Sequence, residues 1–254
     1  MCKKIAIIIG ATGGIGRKFT ALLAKENLDE IWIIARNKEK LELLKSQYGE
    51  KIVSISKDLT DTKSLYDIGK LLDDTKPVVQ YLVNNASLAK MGSYKDFTLE
   101  EIENTINLNC KAPTILSNLC IPYMKKGSCI LNISSAAAFQ PDQYINLYAA
   151  SKAFERSYSR ALNVEVQSLG IAVIAVCPGW VNTDMITKTI NGHKVKFPGM
   201  VTAKRVAEKA ISDAKRGKDM SVCSLYVKCQ HLNVKLMPQK LTMKIWMEGL
   251  KKYI

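Results

Sequence analysis

Two alternating hydrophobic rhythms run along the chain. Short, nearly unbroken apolar runs predict strands at Lys4–Ile9, Ile31–Ala35, Ile52–Ser56, Val79–Asn84, Cys129–Ser134 and Ile171–Cys177, with a short late one near Met220–Ser224. Longer amphipathic stretches between them predict helices over Gly14–Glu26, Lys38–Tyr48, Thr62–Asp73, Leu99–Met124, Tyr144–Leu169 and Ala203–Arg216. Strands that are apolar on both faces and joined by helical crossovers build a parallel sheet covered on both sides. The expected architecture is one doubly wound α/β domain over residues 1–254. Two stretches break the rhythm: an irregular segment at about 185–200 and a C-terminal extension at about 225–254.

Composition narrows this picture. With 254 residues, 47% apolar and 24% charged, the chain can bury a substantial core, and no low-complexity tract or repeat interrupts it. No apolar run approaches the ~20 residues a membrane span needs. The run Ile5–Ile9 leads straight into a glycine-rich turn, which argues against a secretory leader. Seven cysteines, without CxxC or Cys/His spacing, suit buried thiols of a cytoplasmic protein better than disulfides or a metal site. His193 and His231 are the two histidines, too few for a histidine-based metal cluster. Net charge is +14, and from Lys204 onward 12 Lys/Arg face 4 Asp/Glu, so +8 of it falls there. No aromatic-studded nucleic-acid signature accompanies that charge, so a solvated basic face is expected and no nucleic-acid partner.

Candidate chemistry begins where the first strand ends. Gly10-Ala11-Thr12-Gly13-Gly14-Ile15-Gly16 precedes the first helix. Glycines there permit a tight turn and close backbone approach, and a helix N-terminus offers free N–H groups and a positive dipole end to a phosphate. Further along, Leu147–Phe154 reads LYAASKAF, which places Tyr148 and Lys152 four residues apart on one helix face. An ammonium beside a phenol favours the phenolate, one route to a proton donor and acceptor.

The glycine spacing is G-xxx-G-x-G, at Gly10, Gly14 and Gly16. Asn84-Asn85-Ala86 follows the fourth strand, with Ser87 next. Asn109 lies in INLNCKAP, and Ser135 closes ILNISS thirteen residues before Tyr148. Pro178-Gly179, Val181 and Thr183 follow the sixth strand. In these motifs and their order the chain, from about Lys4 to Arg216, resembles the short-chain dehydrogenase/reductase family. Ser87 replaces the glycine of the family's NNAG.

The resemblance implies a Rossmann-like fold and an oxidoreductase that interconverts an alcohol and a ketone or aldehyde. Tyr148 would act as general acid or base, and Lys152 would assist it and hold the nicotinamide ribose. Ser135 would hydrogen-bond the substrate oxygen, and Asn109 would hold a water leading to solvent. Ser134 and Asn107 compete for the last two roles. Gly10, Thr12, Gly14, Ile15, Gly16, Asp58, Leu59, Asn85, Ala86, Pro178, Gly179, Val181 and Thr183, with Tyr148 and Lys152, would hold the cofactor. The second strand ends in Ala35-Arg36, without the acidic residue that suits the ribose hydroxyls of NAD. The Arg36 guanidinium suits a 2′-phosphate, so NADP(H) is expected in preference to NAD(H). Assembly as a homo-oligomer is expected by resemblance alone.

The substrate is less defined. Met185, Ile186, Ile190, Val195, Phe197 and Met200 in the segment at about 185–200, where the resemblance implies a substrate lid, with Leu88, Met91, Phe139 and Tyr144, suggest a hydrophobic small molecule. Lys188, Lys194 and Lys196 offer charge to an acidic group on it. At the C-terminus, Met243, Trp246, Met247, Leu250 and Ile254 fall at helical spacing among Lys240, Lys244, Lys251 and Lys252. Packing of that stripe on the domain or a sister subunit is preferred to contact with a membrane surface. Two rival readings remain: a non-catalytic dinucleotide-binding redox sensor, and an isomerase or dehydratase that uses bound cofactor.

Overall fold

The computed structural model describes residues 2–251 apart from 185, 187, 188, 191 and 192. Met185 and Lys188 of the expected lid, and Lys252 and Ile254 of the expected C-terminal stripe, thus lie outside the described residues. The elements of the first half are β1 (Lys4–Ile9), α1 (Gly14–Leu23), β2 (Glu30–Ala35), α2 (Lys38–Tyr48), β3 (Ile52–Ser56), α3 (Thr62–Thr75), β4 (Val78–Asn84), α4 (Leu99–Ile106) and α5 (Ala112–Cys120). There follow β5 (Cys129–Ile133), α6 (Asn146–Glu165), β6 (Ala172–Val176), β7 (Val181–Asn182), β8 (Thr189–Ile190), β9 (His193–Lys194), β10 (Val201–Thr202), α7 (Ala203–Lys215), β11 (Met220–Ser221), α8 (Leu225–Leu236) and α9 (Gln239–Leu250).

Seven strands form one parallel sheet in the order β11-β6-β5-β4-β1-β2-β3. From β1 the chain winds outward through β2 and β3, then returns to β4 and winds the other way. The strand order therefore reverses between β1 and β4, and ligands of such sheets bind in the crevice beyond the strand ends at that point. This is the single doubly wound, Rossmann-like domain that the strand and helix rhythm predicts.

Each face of the sheet buries its own apolar cluster. Phe19 and Leu23 of α1 and Val206 and Ala210 of α7 pack on one side, against Ile8, Ile33 and Leu131. Leu65 and Leu72 of α3, Leu116 of α5 and Leu162 of α6 pack on the other, against Ile7, Leu82 and Ile130. A buried polar chain crosses this second layer: Asn84 donates to Asn132 at 2.8 Å, and Asn132 donates to Ser159 on α6 at 2.8 Å. It fixes β4, β5 and α6 relative to one another at the end where the site forms.

Two features depart from the sequence expectation, and a third matches it. The helix expected over Leu99–Met124 is broken by a π turn at Asn107–Lys111 and ends at Cys120, with a 3-10 turn after it. A helix, α8, occupies the start of the C-terminal extension. Its Val227 is buried and Val234 packs on the third core cluster, while Leu225, Leu232 and Leu236 face outward. Finally, α9 buries Thr242 and Leu250, and the Trp246 indole donates to the Gln143 carbonyl at 2.9 Å. Its stripe packs on the protein's own domain.

Candidate active site

The glycine loop is shaped by contacts that side chains would obstruct. Gly10 adopts φ +70°, and its N–H donates to Ile34 at 2.8 Å. A Cβ on Gly16 would lie 2.2 Å from the Gly10 carbonyl oxygen, and one on Gly14 would lie 2.5 Å from the Thr183 methyl. Asn85 donates from Nδ2 to the Gly10 carbonyl at 2.9 Å, and Ala86 backs directly on Gly10. Both residues thus support the loop from behind. Gly13 precedes α1 without any side-chain cap, and the first turn of the helix carries no acidic residue. Its N–H groups and positive end stay available to an anion. Thr12 and Ile15 sit half-buried in the same turn.

At the outer side of the crevice, Arg36 follows β2 and faces Asp58, which follows β3. Their side chains lie 3.9 Å apart and remain largely exposed. Asp58 also accepts from the backbone N–H and hydroxyl of Thr60, at 3.0 and 2.8 Å. Leu59 turns its side chain into the core, so it offers a ligand its backbone alone. On the opposite wall, Pro178 accepts at its carbonyl from Ala136 N–H at 2.8 Å. A Cβ on Gly179 would strike Val227 at 2.5 Å. Val181 is buried and paired with Val201, and Thr183 closes on Gly14.

Between these walls stands α6. Lys152 is 2% exposed, and its Nζ lies 5.8 Å from the centre of the Tyr148 ring. Nζ donates to the Ile133 carbonyl at 2.7 Å and to Glu155 Oε2 at 2.8 Å. Burial acts to lower the Lys152 ammonium, but the charges of Glu155 and Tyr148 outweigh it and leave it raised. Burial pushes the Glu155 carboxyl up to about 7, against the pull of Lys152. Sequence reading missed Glu155: on an amphipathic helix, a glutamate next to an arginine reads as solvent-facing.

The two serines at the end of β5, and Asn109, engage their side chains differently. Ser134 is buried and spends its hydroxyl on the Lys152 carbonyl at 2.7 Å. Ser135 accepts from Ala137 N–H at 3.2 Å, which leaves its own O–H to donate into the site. Asn109, in the π turn, is 1% exposed. It accepts from Leu88 N–H at 2.8 Å and donates to the Leu88 carbonyl at 2.8 Å and to Ser151 Oγ at 3.0 Å. π turns recur at functional sites.

The family model described as "short chain dehydrogenase" matches residues 4–194. The chain belongs to the short-chain dehydrogenase family. It is 35% identical over 193 residues to a very-long-chain 3-oxoacyl-CoA reductase of Anas platyrhynchos, covering 71% of this chain and 60% of that relative. The chain thus spans about three-fifths of that relative's length. A short-chain dehydrogenase from Sphingobium yanoikuyae in complex with NADPH superposes with a TM-score of 0.79 at 27% identity, covering 94% of this chain and 95% of that one. The bulky-bulky ketone specific alcohol dehydrogenase from Comamonas testosteroni superposes at 0.77 with 25% identity, covering 94% and 93%.

The chain has the fold of this dehydrogenase family. Its residues fit a nicotinamide dinucleotide: the uncapped α1 terminus at Gly13–Ile15 suits the diphosphate, Arg36 and Asp58 lie exposed beyond β2 and β3, and Tyr148 and Lys152 stand together on α6. A separate cavity of about 770 Å³ lies beside the site, lined by Gly92–Tyr94, Ala138–Tyr144, one face of α6 and Gln239 and Met243 of α9. Tyr144 borders it with a left-handed backbone, φ 63°. Asp142 is buried in its wall, and burial raises its carboxyl to about 6 despite a 2.8 Å hydrogen bond from Gln140. Neither Ser135, Tyr148 nor Lys152 lines this cavity. Phe139, expected at the substrate, borders this cavity and is largely buried, stacked on His231 of α8 at 4.0 Å. Apolar packing under α8 draws it inward. Phe197, in the expected lid, stands edge-on to Trp180 at 5.1 Å. Among the described residues, no helix is long and apolar enough to cross a membrane, and no cluster of His, Cys, Asp and Glu could hold a metal.

Proposed function

We propose that the protein interconverts a secondary alcohol and a ketone or aldehyde, with Tyr148 as general acid and base. The observation that carries this reading is the buried ammonium of Lys152 held 5.8 Å from the centre of the Tyr148 ring. When bound, the dinucleotide supplies or accepts the hydride. In reduction, Tyr148 O–H gives its proton to the substrate oxygen, and the Lys152 charge stabilises the phenolate left behind. Ser135 donates a hydrogen bond to the same oxygen and steadies the charge that develops there. In oxidation the phenolate takes the alcohol proton. Both amide N–H groups of Asn109 are donated, to the Leu88 carbonyl and to Ser151 Oγ, so a water that returns protons at this point would donate to an oxygen of Asn109.

NADP(H) is the preferred cofactor in this reading. Arg36 offers a forked cation where the adenosine ribose would lie, and the Sphingobium relative was solved with NADPH. Gly10, Thr12, Gly14, Ile15 and Gly16 shape the diphosphate site, Asp58 and Leu59 the adenine side, and Pro178, Gly179, Val181 and Thr183 the nicotinamide side. Ile186, Phe197 and Met200, with Leu88 and Met91, offer apolar surface to a hydrophobic substrate. A relative named for 3-oxoacyl-CoA and a neighbour named for bulky ketones support that class. The test of reaction type is transfer of deuterium from a 4-deuterated nicotinamide cofactor to product. Product that carries the label, with matching cofactor oxidation, is expected. Turnover without net cofactor oxidation would replace this reading with the isomerase one.

A further inference from the structure

Lys152 has a partner that none of the recognised motifs includes. Glu155 follows it by three residues on α6, is 3% exposed, and accepts from Nζ at 2.8 Å. The Ile133 carbonyl, at the end of β5, takes a second N–H at 2.7 Å. Two of the three ammonium protons are therefore held inside the protein. Isolated buried carboxylates cost several kcal/mol, so a glutamate on the inward face of a core helix is costly without a paired charge. Its neighbours on α6 and beneath it define what that charge acts on.

We infer that Glu155 is a positioning residue for Lys152: it holds the ammonium on the floor formed by Ile133 and offsets part of its charge at Tyr148. The inference rests on the proposed proton-transfer roles of Tyr148 and Lys152. An ammonium favours the phenolate, and a carboxylate next to that ammonium opposes it. Glu155 thereby sets the pH at which Tyr148 exchanges its proton. The other titratable groups at this pair are Cys110 from the π turn and Cys177 at the end of β6, with Arg156 beyond Cys177. Burial pushes the two thiols up to about 11 and about 12. They stay neutral at physiological pH, so the charge that acts on Lys152 is that of Glu155 once it ionises, above about pH 7.

The test is Glu155→Gln in the full chain, which keeps an oxygen for Nζ and nearly the same volume but removes the charge. Two readouts are taken: kcat/KM against pH in the alcohol-oxidising direction, and the titration of ring-13C-labelled tyrosine without substrate. The Tyr148 signal is assigned by its loss in Tyr148→Phe. Both midpoints are expected at lower pH than in the parent by about one unit, a tenfold change in ionised fraction below them. Glu155→Asp should return them toward the parent. Unmoved midpoints, whatever the loss of kcat, would make Glu155 a structural residue and overturn the inference. A move to higher pH would also overturn it, since Glu155 would then serve to keep Lys152 charged. Glu155→Met carries the same expectation and serves where Gln does not fold. Full turnover in Tyr148→Phe would sink the proposed reaction instead, and the substrate-free titration would still decide the link between Glu155 and Tyr148.

Discussion

Asn109 in the π turn donates to Ser151 on α6 at 3.0 Å, and Ser151 in turn donates to the Tyr148 carbonyl at 2.8 Å. With its two bonds to Leu88, Asn109 joins three segments: the π turn, the loop after β4 and the helix that carries Tyr148. Asn109→Ala leaves the Leu88 backbone groups without these partners inside the protein. A stability loss of about 2–4 kcal/mol is expected in urea unfolding, together with a fall in kcat of about tenfold or more from a displaced α6. Loss of stability below 0.5 kcal/mol (about the size of a surface substitution) would show that Asn109 does not hold these segments.

Arg36 faces Asp58 at 3.9 Å and is exposed to solvent. Arg36→Asp would set two carboxylates side by side where a 2′-phosphate is proposed to bind. NADPH affinity is expected to fall by about a hundredfold, and NADH affinity by less than about threefold. Fluorescence titration with both cofactors checks this. Equal losses would remove the assignment of Arg36 to the 2′-phosphate.

The site was legible in the sequence to the extent that backbone geometry and local spacing define it. Gly10, Gly14 and Gly16 stand where a tight turn needs them, and Tyr148 and Lys152 share a helix face because 3.6 residues make a turn. The doubly wound sheet follows from apolar runs that read the same whatever packs on them. Other features depend on tertiary packing. A π turn adds one residue to a turn, and the amphipathic pattern of Leu99–Cys120 carries no mark of it. Helix α8 shows apolar residues on both sides, Val227 and Val234 inward and Leu225, Leu232 and Leu236 outward, so no single stripe announces it. Glu155 escaped because burial of a charged residue is decided by its partner, Lys152, and by the floor at Ile133.

Asp142 is buried with Gln140 as its one side-chain hydrogen-bond partner among the described residues. Its carboxyl, raised by burial from 3.8 to about 6, binds its proton more tightly in the folded protein than in the unfolded chain. The stability this gives is fully present below about pH 4 and is lost as pH rises through about 6. Asp142→Asn keeps the acceptor and removes the charge. At pH 8 the substitution should stabilise by on the order of 2 kcal/mol, a rise of several degrees in Tm, and at pH 4 it should be close to neutral. Thermal unfolding at the two pH values reads the difference. A destabilising effect at pH 8 would show that the charge has a partner this account omits.

The central claim, that Tyr148 moves the proton, is tested most directly by Tyr148→Phe. Purified parent and variant are offered NADP(H) and a panel of hydrophobic alcohols and ketones, and nicotinamide absorbance is followed in both directions. Cofactor affinity is measured alongside. In Tyr148→Phe, kcat is expected to fall by about a thousandfold or more, since the ring stays but the transferable proton is gone, while NADP(H) binds within about threefold of the parent. Undiminished turnover by Tyr148→Phe on a substrate the parent reduces would contradict it.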